Sequence, residues 1–261
     1  MIRVFFVSFL YNKTNVLILV IPNNISQLGD NDNYRAIKGL IAAKKQDKII
    51  AWLAIANHAD KGGTILSADV ILNYLGQCDK ERKLEFHIVC QCAPVLKGIK
   101  ISNIVTIQSG TWKTVRRTLA GSGILCVPLF LRKDNDVIFL YRYEKLEEHL
   151  KKEDIRQFLE EYGYFDPVVE SVIFRLRRRY QEYSEGKISF PHELGVLLEY
   201  PLEDVQGFIR NQGKNCLLCR YWKVYHDKER AKEIFRRYDE VRECAMKEMI
   251  AGCPLRQVAS S

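Results

Sequence analysis

The chain has 261 residues, of which 47% are hydrophobic and 11% aromatic, and its formal net charge at pH 7 is +8. This composition excludes a disordered or collagen-like chain and is that of a folded protein with one domain, or one domain and an extension. The charge permits contact with nucleic acid or an anionic membrane, but it is too small to require either partner.

The eight cysteines do not indicate a secreted disulfide framework, because such a framework needs an export signal. The apolar N-terminus, residues 1–24, lacks a small-residue cleavage site. It is also interrupted at residues 11–15, which leaves it short of the roughly 18 uninterrupted apolar residues of a membrane span. We therefore expect reduced thiols, a cytoplasmic location and no membrane partner.

Residues 1–77 are predicted to form an N-terminal extension. Two β-rich runs, residues 2–10 and 16–21, flank a polar turn and predict a hairpin. Apolar residues at near-helical spacing over 34–57 predict a helix after it.

Residues 78–261 are predicted to form an α+β domain. A helix is expected to begin at Asp79 and to end near Cys92, where Pro94 follows. Two β-branched and aromatic runs predict a hairpin over 124–143, and Pro128 should place the first of its strands at a sheet edge or in a bulge.

Helices are predicted in the rest of this domain, with one further strand between them. The helical segments are 112–119, 144–152, 154–162, 166–183, a short pair at 191–211, and 228–251. The segment 215–225 reads as a strand able to pair with the hairpin. The predicted fold is a small antiparallel β-sheet covered by several α-helices.

Four fragments of the second domain resemble an uncharacterised bacterial family, a domain of unknown function of anaerobic Gram-positive bacteria. They are CAPVLKGIK at 92–100, IFLYRYEKLEEHL at 138–150, FPHELGVLLEYPLEDVQGFI at 190–209 and YWKVYHD at 221–227. The resemblance spans roughly residues 84–255 and implies no activity. The chain departs from the family at Glu199, where members tend to have glycine before Tyr-Pro, so its turn must accommodate a Cβ.

Thiols and imidazoles within or beside these fragments are the candidate metal ligands. Cys92, Cys219 and His192 form the primary set, and Cys216 and His226 are additional candidates. The C-x-x-C spacing of Cys216 and Cys219 is used by zinc knuckles and dithiol redox centres. Against this, a strand would direct the two thiols to opposite faces, and buried cysteine commonly serves as a small apolar residue.

These residues lead to our first functional hypothesis, an accessory protein in thiol, metal or redox physiology. Its cofactor would be zinc or another thiolate-bound metal, because thiolate and imidazole ligands suit such ions. Its partner would be a redox protein or another protein.

Motifs exclude several enzyme classes. Position 196 is valine, so His192 and Glu193 do not belong to the His-Glu-x-x-His motif of zinc proteases. A phosphate-binding glycine loop in strand–helix context and a Gly-x-Ser-x-Gly elbow are both missing from the sequence. We expect Glu193 to cap the helix that follows it.

A second hypothesis is an enzyme that uses His192 as general base. Trp222, Lys223 and Tyr225 are the other candidate functional residues, together with Glu193. If 215–225 is a strand, aromatic and cationic side chains share its faces, where a planar ligand could stack.

A third hypothesis is a nucleic-acid-binding module. It would use the helix-turn-helix-like pair at 191–211 and the basic helix at 174–179, which carries Arg175, Arg177, Arg178 and Arg179. The second helix of the pair would present Glu203 and Asp204, whose negative charge repels phosphate.

Overall fold

The computed structural model describes Leu66 and residues 68–260. The predicted N-terminal hairpin and the predicted helix at 34–57 lie outside the described residues, and the domain boundary at residue 77 stays a prediction. The described part of the chain has the predicted α+β fold, with ten helices, a three-stranded antiparallel sheet and a two-stranded sheet.

The helices and strands follow one another in an irregular order. They are α1 (Ala68–Gln77), α2 (Lys80–Leu96), β1 (Ser102–Gln108), α3 (Trp112–Thr118), β2 (Ile124–Leu131), β3 (Asn135–Arg142), α4 (Tyr143–Leu150), α5 (Glu153–Glu160), α6 (Val169–Ser184), α7 (Leu194–Leu197), α8 (Leu202–Arg210), β4 (Leu218–Cys219), β5 (Lys223–Val224), α9 (Lys228–Ile250) and α10 (Leu255–Val258). Within the described residues, none of these helices is long and apolar enough to cross a membrane.

The predicted hairpin is confirmed as β2 and β3. The strand order β1-β3-β2 puts β2 at an edge, and its register shifts between Pro128 and Phe130. Proline has no N–H to give to a sheet, so both the edge position and the irregularity agree with the prediction from Pro128.

The prediction that segment 215–225 is the third strand of this sheet is wrong. The third strand is β1, which pairs with β3. The polar residues Asn103, Thr106 and Gln108 interrupt the apolar pattern by which a strand is recognised in sequence. Within 215–225 only β4 and β5 are extended, and they pair with each other. Arg220 N donates to the Trp222 carbonyl at 3.2 Å, so the chain turns back between the two strands.

The central sheet lies between two helical layers. Strand β3 is buried on both faces: Ile138 and Leu140 belong to the core shared with α1, α2 and α9. Phe139 and Tyr141 belong to the core shared with α4, α5, α6 and α7. A third, smaller cluster surrounds Trp222 between β5 and α9.

Helix α2 continues beyond its predicted end near Cys92. It begins at the expected cap, where the Asp79 carboxylate accepts a hydrogen bond from Arg82 N at 2.8 Å, but it includes Pro94 in its last turn and ends at Leu96. The Arg142 guanidinium, at the end of β3, donates to the Leu96 carbonyl at 2.7 Å. This contact satisfies a terminal carbonyl of the helix and fixes the loop that follows.

Candidate functional site

Segments far apart in the sequence meet at a cleft of about 330 Å³, which we call the His149 cleft. All four fragments that carry the family resemblance contribute to its lining, and α9 closes it. Representative lining residues from these segments are Ile99, His149, Tyr200, Trp222, Ile234, Arg237 and Tyr238. The volume lies at the lower end of the range for small-molecule sites.

His149, which lines this cleft, has an unused hydrogen-bond acceptor. Its Nε2 lies 3.1 Å from the Val196 carbonyl oxygen. A carbonyl can only accept, so Nε2 carries the proton and Nδ1 carries the lone pair. The Nδ1 atom is buried and has no hydrogen-bond partner among the described residues. Burial lowers the pKa of His149, and Lys152 lowers it further, which keeps the ring neutral at pH 7.

Two tyrosines, Tyr200 and Tyr238, line the same cleft. The Tyr200 ring stacks on the Trp222 indole with centroids 5.3 Å apart, and Tyr238 packs edge-on to that indole. Neither hydroxyl is hydrogen-bonded to any residue that the structure describes. Burial raises the pKa of Tyr200 to about 12 and also raises the pKa of Tyr238, so both can act as neutral donors and acceptors.

The charged side chains of the cleft balance one another. Its cationic members are Lys152, Arg230 and Arg237, and its anionic members are Asp154, Glu199 and Glu203. Arg230 and Arg237 are exposed on α9, and neither side chain makes an ion pair within the described part of the chain. The cleft therefore offers cationic and anionic side chains to a bound ligand.

Glu199 is the position where this chain departs from the family. Its φ is 61°, in the left-handed region that a residue with a Cβ enters at a cost of about 1–2 kcal/mol. Its carboxylate accepts a hydrogen bond from Ile101 N at 2.8 Å. Burial lowers the pKa of nearby Lys100 to about 8, while Glu199 and Cys92 act in the opposite direction.

A family model covers the whole lining of this cleft. The model is described as a protein of unknown function (DUF3793), and it matches residues 88–259, well over half of the chain. The chain belongs to the DUF3793 family. This confirms the predicted membership of a family of unknown function. No curated protein and no solved structure matches the chain.

The predicted metal ligands of this DUF3793 chain are not assembled into one set. Cys92 is fully buried in the first core, where burial raises its pKa to about 12, and its Sγ accepts a bond from Asn103 Nδ2 at 3.7 Å. Cys219 is half-buried at the end of β4 beside Cys216. The described residues contain no group of three or more His, Cys, Asp or Glu side chains able to hold a metal ion, so His192 does not complete one.

Three residues of the enzyme hypothesis, His192, Lys223 and Tyr225, surround Phe208 rather than line the His149 cleft. The Phe208 ring is 5.3 Å from His192 and 6.5 Å from Tyr225 between centroids, and the Lys223 amine lies 5.7 Å above it. Lys223 Nζ is held by the Gly213 carbonyl at 2.7 Å. Burial lowers the pKa of His192.

Tyr225 lines a separate hollow of about 460 Å³, together with His226, Gln206 and Arg210. Its hydroxyl is buried and has no hydrogen-bond partner among the described residues. A Cβ at Gly207 would lie 2.5 Å from the Tyr225 Cβ, so the absence of a side chain at Gly207 lets the tyrosine approach α8.

Trp222, a further member of the set, is a structural residue. Its indole is 4% exposed, and its Nε1 donates to the Asp204 carboxylate at 2.7 Å. The same buried carboxylate accepts bonds from Tyr225 N at 2.6 Å and His226 N at 2.9 Å. The expectation that Asp204 faces outward is wrong. Tyr200 stacks on the indole, Phe235 lies edge-on to it at 4.5 Å between centroids, and only 4% of Trp222 is exposed, so a planar ligand has no open Trp222 face on which to stack.

The expected cap role of Glu193 is also wrong. Helix α7 begins only at Leu194, and the Glu193 side chain makes no cap hydrogen bond. Its fully buried carboxylate pairs with the Arg179 guanidinium and accepts a bond from the Tyr164 hydroxyl at 3.2 Å. Glu193 therefore joins α6 to the start of α7 as a buried, paired charge.

The basic helix at 174–179 does not present its four arginines as one surface. Arg179 is committed to Glu193, and Arg175 donates to the Tyr162 carbonyl at 2.9 Å. Only Arg177 and Arg178 are exposed. The helix pair is equally unlike a DNA-reading unit, because α7 is a single turn and Asp204, which was expected to face outward on α8, is buried.

Sequence reasoning missed His149, Tyr238 and the α9 arginines. A single histidine in the last turn of an amphipathic helix has no local signature, and the cleft requires contacts across distant segments. The only signal was that His149 lies inside one of the four family-like fragments.

Proposed function

We propose that the DUF3793 domain binds a small zwitterionic metabolite of amino-acid type in the His149 cleft. The observation that carries this proposal is the buried Nδ1 lone pair of His149, which has no partner among the described residues. An unpaired buried polar atom costs about 1–3 kcal/mol, and a ligand N–H that donates to it would remove that cost.

The charges of the cleft favour a ligand that carries both signs. An ammonium group would satisfy Nδ1 of His149 together with the anionic residues of the α7–α8 segment, Glu199 and Glu203. A carboxylate would pair with Arg237 of α9, since guanidinium binds carboxylate in a bidentate manner. The apolar lining, which includes Ile99 and Ile234, would receive the side chain of the ligand.

Calorimetric titration of the full chain with the common free amino acids tests this proposal. We expect saturable binding that is strongest for side chains with apolar bulk. The N-acetyl and carboxamide derivatives of the best ligand, each of which lacks one charge, should bind at least about tenfold more weakly, because a hydrogen bond to a charged group contributes about 1.5–3 kcal/mol.

Arg237→Ala and Arg236→Ala form a matched pair for this titration. Both arginines are exposed on α9, but Arg236 is engaged by Glu233 and Glu240 and does not line the cleft. Arg237→Ala should weaken binding about tenfold and Arg236→Ala should not change it. The proposal fails if no amino acid binds, or if the two variants behave alike.

The other hypotheses have less support. A metal role lacks a group of three ligands among the described residues, and a nucleic-acid role lacks a continuous basic surface on α6. A thiol-based role is supported at Cys216 and Cys219, which are in contact, rather than at Cys92, which is buried in the core.

A further inference from the structure

We propose that Cys216 and Cys219 form a dithiol that is reversibly oxidised to an intramolecular disulfide by exchange with a disulfide substrate or partner. The two thiols are close enough to hydrogen-bond to each other, and both are half-buried rather than enclosed. In contrast, Cys90, Cys92 and Cys126 are buried in the core. The inference is independent of ligand binding in the His149 cleft.

The turn before β4 explains why the two thiols meet. In a continuous strand, residues three apart point to opposite faces. Here the chain bends at Leu217, and β4 contains only Leu218 and Cys219, so Cys216 lies outside the strand and this alternation does not apply to the pair. A disulfide also requires close Cβ positions, which a spacing of three residues across a bend permits.

The surroundings of Cys219 act on its thiol in opposite directions. Burial raises the pKa of Cys219 and the neighbouring Cys216 raises it further, whereas the Lys223 amine acts in the opposite direction. Lys223 lies opposite Cys219 in the hairpin register, so a cationic residue neighbours the thiol. Thiolate is the species that attacks a disulfide, and a neighbouring cation stabilises it.

The reaction takes place in two exchange steps. One thiol of the pair loses its proton to solvent, and its thiolate attacks a sulfur of the oxidant RSSR to give a mixed disulfide and one RS⁻. The second thiol then loses its proton and attacks the protein sulfur, which forms the Cys216–Cys219 bond and releases a second RS⁻. The protein loses two electrons and two protons, and RSSR is reduced to two thiols.

Oxidised glutathione is the probe for this reaction. Full-length protein purified without oxygen is incubated with it, and the remaining thiols are alkylated, counted and mapped by mass spectrometry of peptides. We expect the loss of two of the eight thiols, a mass lower by two hydrogens and one peptide link between Cys216 and Cys219. Reduced glutathione in excess should restore both thiols.

Three serine variants distinguish a reaction specific to the Cys216–Cys219 pair from the general reactivity of exposed thiols. In Cys216→Ser and Cys219→Ser, the remaining thiol of the pair should hold one glutathione as a mixed disulfide and form no internal bond. Cys244→Ser removes a more exposed thiol that lies on α9, where it bonds to Glu248, and should leave the internal disulfide unchanged. A disulfide mapped to any other pair, or two glutathiones on Cys216 and Cys219 of the wild type, would overturn the proposal.

Discussion

Lys100 shows at the scale of one residue how the family-like loop holds a buried charge. Its amine donates to the Ser102 carbonyl at 2.7 Å and to Asn103 Oδ1 at 3.2 Å, and it faces the Tyr200 ring at 5.3 Å. The side chain is 5% exposed, and burial lowers its pKa from 10.5 to about 8. Burying this ammonium group therefore costs stability at neutral pH.

We predict a pH-dependent stability difference between the wild type and Lys100→Met. Between pH 8 and 10.5 the unfolded chain holds a proton at Lys100 that the folded chain has released, so the free energy of unfolding of the wild type rises relative to the variant. The relative gain should be about 3 kcal/mol at about 1.4 kcal/mol per pKa unit.

Denaturant unfolding of both proteins at intervals between pH 7 and 10.5 measures this gain. The difference between the two proteins is used because Cys90 and Cys126 also have raised pKa values and titrate in both. Two unfolding free energies that change in parallel with pH would show that Lys100 is not desolvated in the folded protein.

At the scale of elements, Asp204 connects α8 to the residues around β5. Its carboxylate accepts bonds from the Trp222 indole N–H and from two backbone N–H groups, and it is 3% exposed. These bonds hold Trp222 beneath Tyr200, and hence one wall of the His149 cleft.

Asp204→Ala should lower the free energy of unfolding by about 3–5 kcal/mol, because removing the carboxylate leaves buried donors unpaired. Glu203→Ala is the matched control one residue away: Glu203 is exposed, and surface substitutions usually change stability by less than about 0.5 kcal/mol. Urea unfolding of the full chain compares the two variants. Equally small changes in the free energy of unfolding of both variants would show that the Asp204 carboxylate does not stabilise the contact between α8 and β5.

The elements differ in how far the sequence predicted them. The β2–β3 hairpin was predictable because its runs are apolar, β-branched and separated by a polar turn. β1 was missed because polar residues interrupt it, although it is partly buried on both faces. β4 and β5 were merged into one strand because their composition does not reveal that Arg220 closes a turn.

At the scale of the whole molecule, the site depends on contacts that no local pattern encodes. His149 bonds to Val196 across 47 residues, and the Ile101 backbone bonds to Glu199 across 98. Sequence reasoning could identify the fragments that line the cleft through the family resemblance. It could not show that these fragments meet. Nor could it show that Trp222 hydrogen-bonds to Asp204 and that Glu193 pairs with Arg179 inside the protein.

The proposed ligand site and the proposed dithiol use different residues of neighbouring elements. The His149 cleft lies between α4, the α7–α8 segment and α9 and includes Trp222 of the β4–β5 hairpin, whereas Cys216 and Cys219 do not line it. Ligand binding and disulfide formation have different readouts, so both can be measured in the same set of variants.

Nitrogen-15 NMR of the histidine rings in the full chain tests the central claim most directly. His87 is a built-in control: its Nε2 bonds to the Thr106 carbonyl at 2.9 Å, its Nδ1 is also buried without a partner among the described residues, and it does not line the cleft. With the tightest-binding amino acid at saturation, we predict that the His149 Nδ1 resonance shifts to that of a hydrogen-bonded acceptor while His87 Nδ1 stays unchanged. An unchanged His149 Nδ1, or equal shifts in both rings, would contradict ligand binding at His149.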